Sequence, residues 1–141
     1  MNLKENQKIE LQKLAEKNGL RFVALFGSQV SGQTNNESDY DIAIMSIISE
    51  PLYANFERFS KILSALSAIL KLPEEKLDLT DLHNEDILLR YQIVSNCELL
   101  FGDEDDFANF KSFVVREYLG AELLFDLEKK MIARRQILLA Q

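Results

Sequence analysis

The stretch FGSQVSGQTNNESDYDIAIM, residues 26–45, places Gly27-Ser28 at the end of one apolar run and Asp39 and Asp41 at the entrance of the next. Side chains alternate across a strand, so Asp39, Asp41, Ala43 and Met45 fall on one side. Tyr40, Ile42 and Ile44 fall on the other, the expected core face. Two carboxylates held one strand repeat apart repel each other unless a cation joins them. Oxygen ligands from one or two carboxylates, shared with substrate phosphates, are the pattern of Mg²⁺. Gly27-Ser28 supplies the complement, because it closes a buried strand and opens a short helix. There the first N–H groups and the helix dipole favour phosphate. Glycine admits close backbone approach, and the serine hydroxyl adds a donor. The two halves together describe a nucleoside-triphosphate site.

A two-metal site that activates a nucleophile needs a third carboxylate. The segment LDLTDL, residues 77–82, offers Asp78 or Asp81. Asp78 shares a face with Thr80, opposite Leu77 and Leu79, so it can enter a site while the leucines fill the core. Asp81 shares the leucine face and is expected at the strand's end. Asp78 is therefore the choice. His83 follows this strand with no partner pattern and reads as loop. Cys97 reads as a small buried hydrophobe.

These residues need strands and turns in a fixed order. Residues 3–18 have helical spacing, with Gly19 as C-cap. Residues 20–26 are a buried strand, 27–33 a turn and short helix, and 39–45 a second strand. A helix is expected from about Leu52 to Leu70, with Pro51 in its first turn and Pro73 beyond its end. A third strand, 77–82, a helix, 85–95, and a short fourth strand, 98–101, follow. From Asp103 the chain is helical, acidic at its start and cationic at its end, and Gly120 is expected to split it. Alternating strands and helices predict an α/β or α+β fold, a small mixed sheet of about four strands flanked by helices.

The chain has 141 residues, 47% hydrophobic and 28% charged, without repeats or linkers, so one domain is expected over 1–141. Its catalytic core would span about 20–101 and its helical C-terminal region about 103–141. A single cysteine excludes an internal disulfide framework. No run is long and apolar enough for a membrane span, and the charged N-terminus has no signal-peptide core. A cytoplasmic protein is expected. With 23 acidic against 16 basic residues and a net charge of -7, it lacks the basic face of a nucleic-acid binder.

Gly27-Ser28, ten intervening residues and Asp39-Tyr40-Asp41 resemble the GS-x₁₀-D-x-D signature of polymerase-β-like nucleotidyltransferases. Asp78 resembles their third acidic residue. The short length, Leu89-Arg90-Tyr91 and Leu99-Leu100-Phe101 are similar to the minimal nucleotidyltransferase (MNT) antitoxins paired with HEPN ribonuclease toxins. The resemblance implies a type VII antitoxin that transfers AMP from ATP to a toxin tyrosine. It also implies Mg²⁺, bound by Asp39, Asp41 and Asp78, with Gly27 and Ser28 holding the β- and γ-phosphates. Members often carry arginines just after Gly-Ser, where Gln29 and Val30 stand here. Two other functions share these features. One is a small-molecule nucleotidyltransferase of the antibiotic-modifying type. The other is a non-catalytic antitoxin that binds its toxin through the apolar C-terminal region, with Phe107, Phe110, Phe113, Val114, Phe125 and Met131. The first half of that region could equally pack on the domain's own sheet.

Overall fold

The computed structural model describes residues 1–32, 39–48, 54–83 and 86–140. The elements run α1 (Glu5–Asn18), β1 (Leu20–Phe26), α2 (Ser28–Ser31), β2 (Tyr40–Ser46), α3 (Phe56–Leu70), β3 (Leu77–Asp81), α4 (Ile87–Ser95), β4 (Cys97–Phe101) and α5 (Glu104–Leu139). They build one four-stranded sheet in the order β3-β2-β1-β4. The β1–β2 and β1–β4 pairs are antiparallel and β2–β3 is parallel, so the sheet is mixed.

Local chemistry sets the element ends. Gly19 stops α1 in the left-handed region (φ 63°), its N–H donating to the Ala15 carbonyl. Helix α3 starts at Phe56, later than the periodicity predicts, because the Asn55 side chain accepts the Arg58 N–H at 3.1 Å and caps it there. Pro51 and Leu52 lie outside the described residues. Asp86 caps α4 by accepting the Leu89 N–H at 2.7 Å, and Asp103 caps α5 by accepting that of Asp106 at 2.8 Å.

Two expectations about α5 are corrected. It is one helix of 36 residues, unbroken at Gly120. A lone glycine costs only about 1 kcal/mol in a helix interior, too little to break a helix held by its neighbours on both sides. Its last turn also holds no basic residue. Lys129, Lys130, Arg134 and Arg135 lie before it, so they contribute little to that end of the dipole.

The sheet is covered on both faces, not on one. Ile42 and Ile44 join Val23 and Leu25 in a core closed by α1 and α3 through Leu11, Ile62 and Leu66. Ala43 and Met45, on the face of the aspartates, are buried too, with Phe22, Ile93, Phe107 and Val114. Helices α4 and the first half of α5 supply that second layer. The Phe22 ring meets Phe107 edge-on at 5.0 Å. Beside it, the Arg21 guanidinium donates to both carboxylate oxygens of Asp106 at 2.8 and 2.6 Å, tying the start of α5 to β1. Phe107, Phe110 and Val114 thus pack on the domain's own sheet, whereas Phe113, Phe125 and Met131 are exposed. No helix of the described residues is long and apolar enough to cross a membrane.

Candidate active site

The sheet register brings the sequence-distant parts together at one end of β2. Phe26, the last residue of β1, pairs with Asp41 of β2. Asp41 in turn pairs with Asp78 of β3. In-register residues on neighbouring strands point to the same face, so both carboxylates emerge side by side. Asp39 immediately precedes β2 and is exposed, as is Asp78, whereas Asp41 is half-buried between them. Asp81 lies in register with Ile44, on the opposite face, where it is buried and accepts the His83 N–H at 3.0 Å. The alternation of LDLTDL separates the two acids as the sequence predicts.

Gly27 joins β1 to α2 at φ 76° and ψ -150°, a conformation that essentially only glycine adopts. Its carbonyl accepts the N–H groups of Val30 and Ser31, both at 3.1 Å, which winds the turn that begins at Ser28. A Cβ on Gly27 would stand 2.2 Å from the Asp41 carboxylate oxygen Oδ2. The glycine is therefore required twice, for its backbone angles and for the space that the carboxylate occupies.

The electrostatics of this corner are those of an anion cluster. Burial, then the charge of Asp78, then that of Asp39, hold the Asp41 carboxyl above the ordinary carboxylate range. No ion pair among the described residues reaches Asp39, Asp41 or Asp78. Nor do three acid, imidazole or thiol groups among the described residues converge on one point to enclose an ion. The donor set fits a hard cation that takes one or two protein carboxylates and completes its shell with phosphate oxygens and water, the habit of Mg²⁺.

Two features escaped sequence reasoning. His83 is not a free loop residue, because its Nε2 lies 2.8 Å from the Ser46 carbonyl and its own carbonyl accepts from Arg90 at 3.2 Å. It latches the β3–α4 connection to the far end of β2. A cavity of about 270 Å³ also opens beside the glycine turn, between Gly27, Ser31, Leu89, Gln92 and Asn96. Gln92 lies on α4, and Asn96 is the residue that ends it. Nothing local marks them, since only packing brings α4 to the Gly27 turn.

Residues 7–106 match the family model described as polymerase beta nucleotidyltransferase. The chain is 32% identical over 105 residues to the protein adenylyltransferase MntA of Shewanella oneidensis, covering 73% of this chain and 70% of that protein. It superposes on a chain of a toxin–antitoxin crystal structure with AMP-PNP at TM-score 0.62 and 26% identity, covering 88% of this chain and 98% of that one. A structure of tri-AMPylated Shewanella oneidensis HEPN toxin in complex with MNT antitoxin shares the fold at TM-score 0.57 and 24% identity, over 90% and 98% of the two chains. With a family match over most of its length and a Gly-Ser turn pressed against paired aspartates, this chain belongs to the polymerase beta nucleotidyltransferase family, in its minimal, MntA-like branch.

Proposed function

We propose that the protein is an antitoxin that transfers AMP from ATP to a tyrosine hydroxyl of a HEPN-family toxin and so neutralises it. The observation that carries this reading is the contact of the Gly27 turn with Asp41, itself in register with Asp78. It sets a phosphate-binding turn against carboxylates that no ion pair among the described residues reaches. Support comes from the adenylyltransferase activity of the MntA relative and from the AMP-PNP held by the related toxin–antitoxin structure.

In this reading Gly27 and Ser28 bind the β- and γ-phosphates of ATP, the glycine by close backbone approach and the serine through its hydroxyl. Asp39 and Asp41 would hold Mg²⁺, with Asp78 on the adjoining strand completing the acidic set. The ion supplies neutralisation of the phosphate charge and of the charge that develops on the leaving pyrophosphate. Asp78, exposed beside Asp41, takes the proton of the incoming hydroxyl. The hydroxyl oxygen bonds to the α-phosphorus, the bond from that phosphorus to the bridging β-phosphate oxygen breaks, and pyrophosphate leaves with the electron pair. A net charge of -7 disfavours nucleic acid as the acceptor.

The test is co-expression with a HEPN toxin encoded beside it, followed by intact-mass measurement of the toxin. Wild type should add one or more AMP units and restore growth. The Asp39→Asn/Asp41→Asn double variant should still bind the toxin, add no AMP and fail to protect. Full protection by that variant, with toxin of unchanged mass, would show that the protein acts by binding alone.

A further inference from the structure

We infer that the cavity beside the Gly27 turn seats the adenine base of the bound nucleotide, with the carboxamides of Gln92 and Asn96 as its edge contacts. This inference rests on the nucleotidyl-transfer reading and adds to it the place of the base. The sheet register says where the cavity stands. Asp78 of β3 pairs with Asp41 of β2, Asp41 with Phe26 of β1, and Phe26 with Cys97 of β4. Phe26 packs with the hydrophobic layer on the aspartate face. Neighbouring strands lie about 4.8 Å apart, so Phe26 stands one such step from Asp41, on the side away from Asp78. The cavity opens at Phe26 and is walled by α4.

The lining selects the occupant. Among the described residues it holds no Lys or Arg to neutralise a phosphate and no carboxylate to hold a cation. That favours a neutral group, and the reaction offers two, the base of ATP and the ring of the acceptor tyrosine. The tyrosine has one polar atom, its hydroxyl, which must meet the α-phosphorus near Asp78, on the other side of Asp41. Its ring would leave both carboxamides without use. An adenine edge carries a ring nitrogen that accepts beside an amino group that donates. A single Asn or Gln carboxamide complements both. Phe26, Leu89 and Ile93 supply apolar contact for the faces of the base.

Size and hydrogen bonding agree. The cavity measures about 270 Å³, below the roughly 300–1,000 Å³ that encloses a whole drug-sized ligand, so it takes one part of a nucleotide. One ribose separates a base from its α-phosphate, as one strand step separates Phe26 from Asp41. The carboxamides of Gln7, Gln12 and Asn18 each donate to an oxygen nearby. Those of Gln92 and Asn96 make no hydrogen bond among the described residues, and both side chains are exposed at the cavity.

Calorimetry on the purified full chain with Mg²⁺ tests the assignment, using ATP, inorganic tripolyphosphate and purine riboside triphosphate, which lacks the 6-amino group. Gln92→Leu and Asn96→Leu together should weaken ATP binding at least about fivefold and leave tripolyphosphate binding unchanged. Wild type should prefer ATP to purine riboside triphosphate by a similar factor, and the double variant should lose that preference. Both positions are exposed, and thermal melts matching wild type would exclude unfolding. If wild type binds ATP and the double variant binds it equally well, the base lies elsewhere and only this inference falls. Equal losses for ATP and tripolyphosphate would also overturn it, as would unchanged ATP affinity with a raised KM for the toxin, which would give the cavity to the acceptor. Wild type that binds neither ATP nor tripolyphosphate would overturn the nucleotidyl-transfer reading itself, and this inference with it.

Discussion

Asp41 and Asp78 occupy the same register on parallel strands β2 and β3, while Asp81, three residues further along β3, faces the opposite core. We propose that this pairing distinguishes an acid of the nucleotidyl-transfer site, Asp78, from one that serves the fold, Asp81. Asp78→Asn should lower AMP transfer on the order of 10²-fold or more, with Asp81→Asn much milder. Asp81→Ala should instead cost about 1–3 kcal/mol of stability, because it strands the part-buried N–H of His83. Steady-state kinetics and denaturant unfolding on the same preparations separate the two roles. The opposite ranking would mean that the wrong face of β3 has been assigned to the site.

The pH dependence of stability carries the same geometry. Burial and the neighbouring Asp78 and Asp39 raise Asp41, so the folded state binds this proton more tightly than the unfolded chain. Such a group adds stability that is present in full below its unfolded value and is lost as pH rises through its folded value. Without metal, Asp41→Asn should therefore melt above wild type near about pH 7, and the gap should close toward about pH 4. Thermal melts across that range decide it. A variant less stable than wild type at neutral pH would contradict the repulsion account.

Removal of divalent metal should weaken ATP binding, because three carboxylates and a triphosphate repel one another without an intervening cation. Isothermal calorimetry with EDTA, against Mg²⁺ or Mn²⁺, measures the difference. Undiminished ATP affinity in EDTA would remove the site as described.

Two glycines should respond in opposite ways to the same substitution. Gly27→Ala should cost about 2 kcal/mol or more, from the strained backbone and the collision with Asp41, and abolish transfer. Gly120→Ala, in open helix with nothing within 4 Å of the added carbon, should stabilise by roughly 0.5–1 kcal/mol. Chemical denaturation of the two variants beside wild type checks both signs.

Whatever depends on neighbours along the chain was legible in the sequence. Strand alternation put Asp39 with Asp41, and Asp78 away from Asp81, because the side-chain period of a strand is local. Glycine at 19 and the acidic start of α5 marked helix ends for the same reason, as capping is decided within one turn. Tertiary structure alone decided the rest. Ala43 and Met45 carry no mark of a second core, since burial of that face requires α4 and α5 to fold back over it. The lack of room for a side chain between Gly27 and Asp41, the latch from His83 to Ser46 and the nearness of Gln92 to the glycine turn likewise arise across strands and helices. The unbroken α5 shows the converse, for a local cost of about 1 kcal/mol at Gly120 is outweighed by the helix on either side. A sequence states what each residue prefers, and only packing states which preferences can be met together.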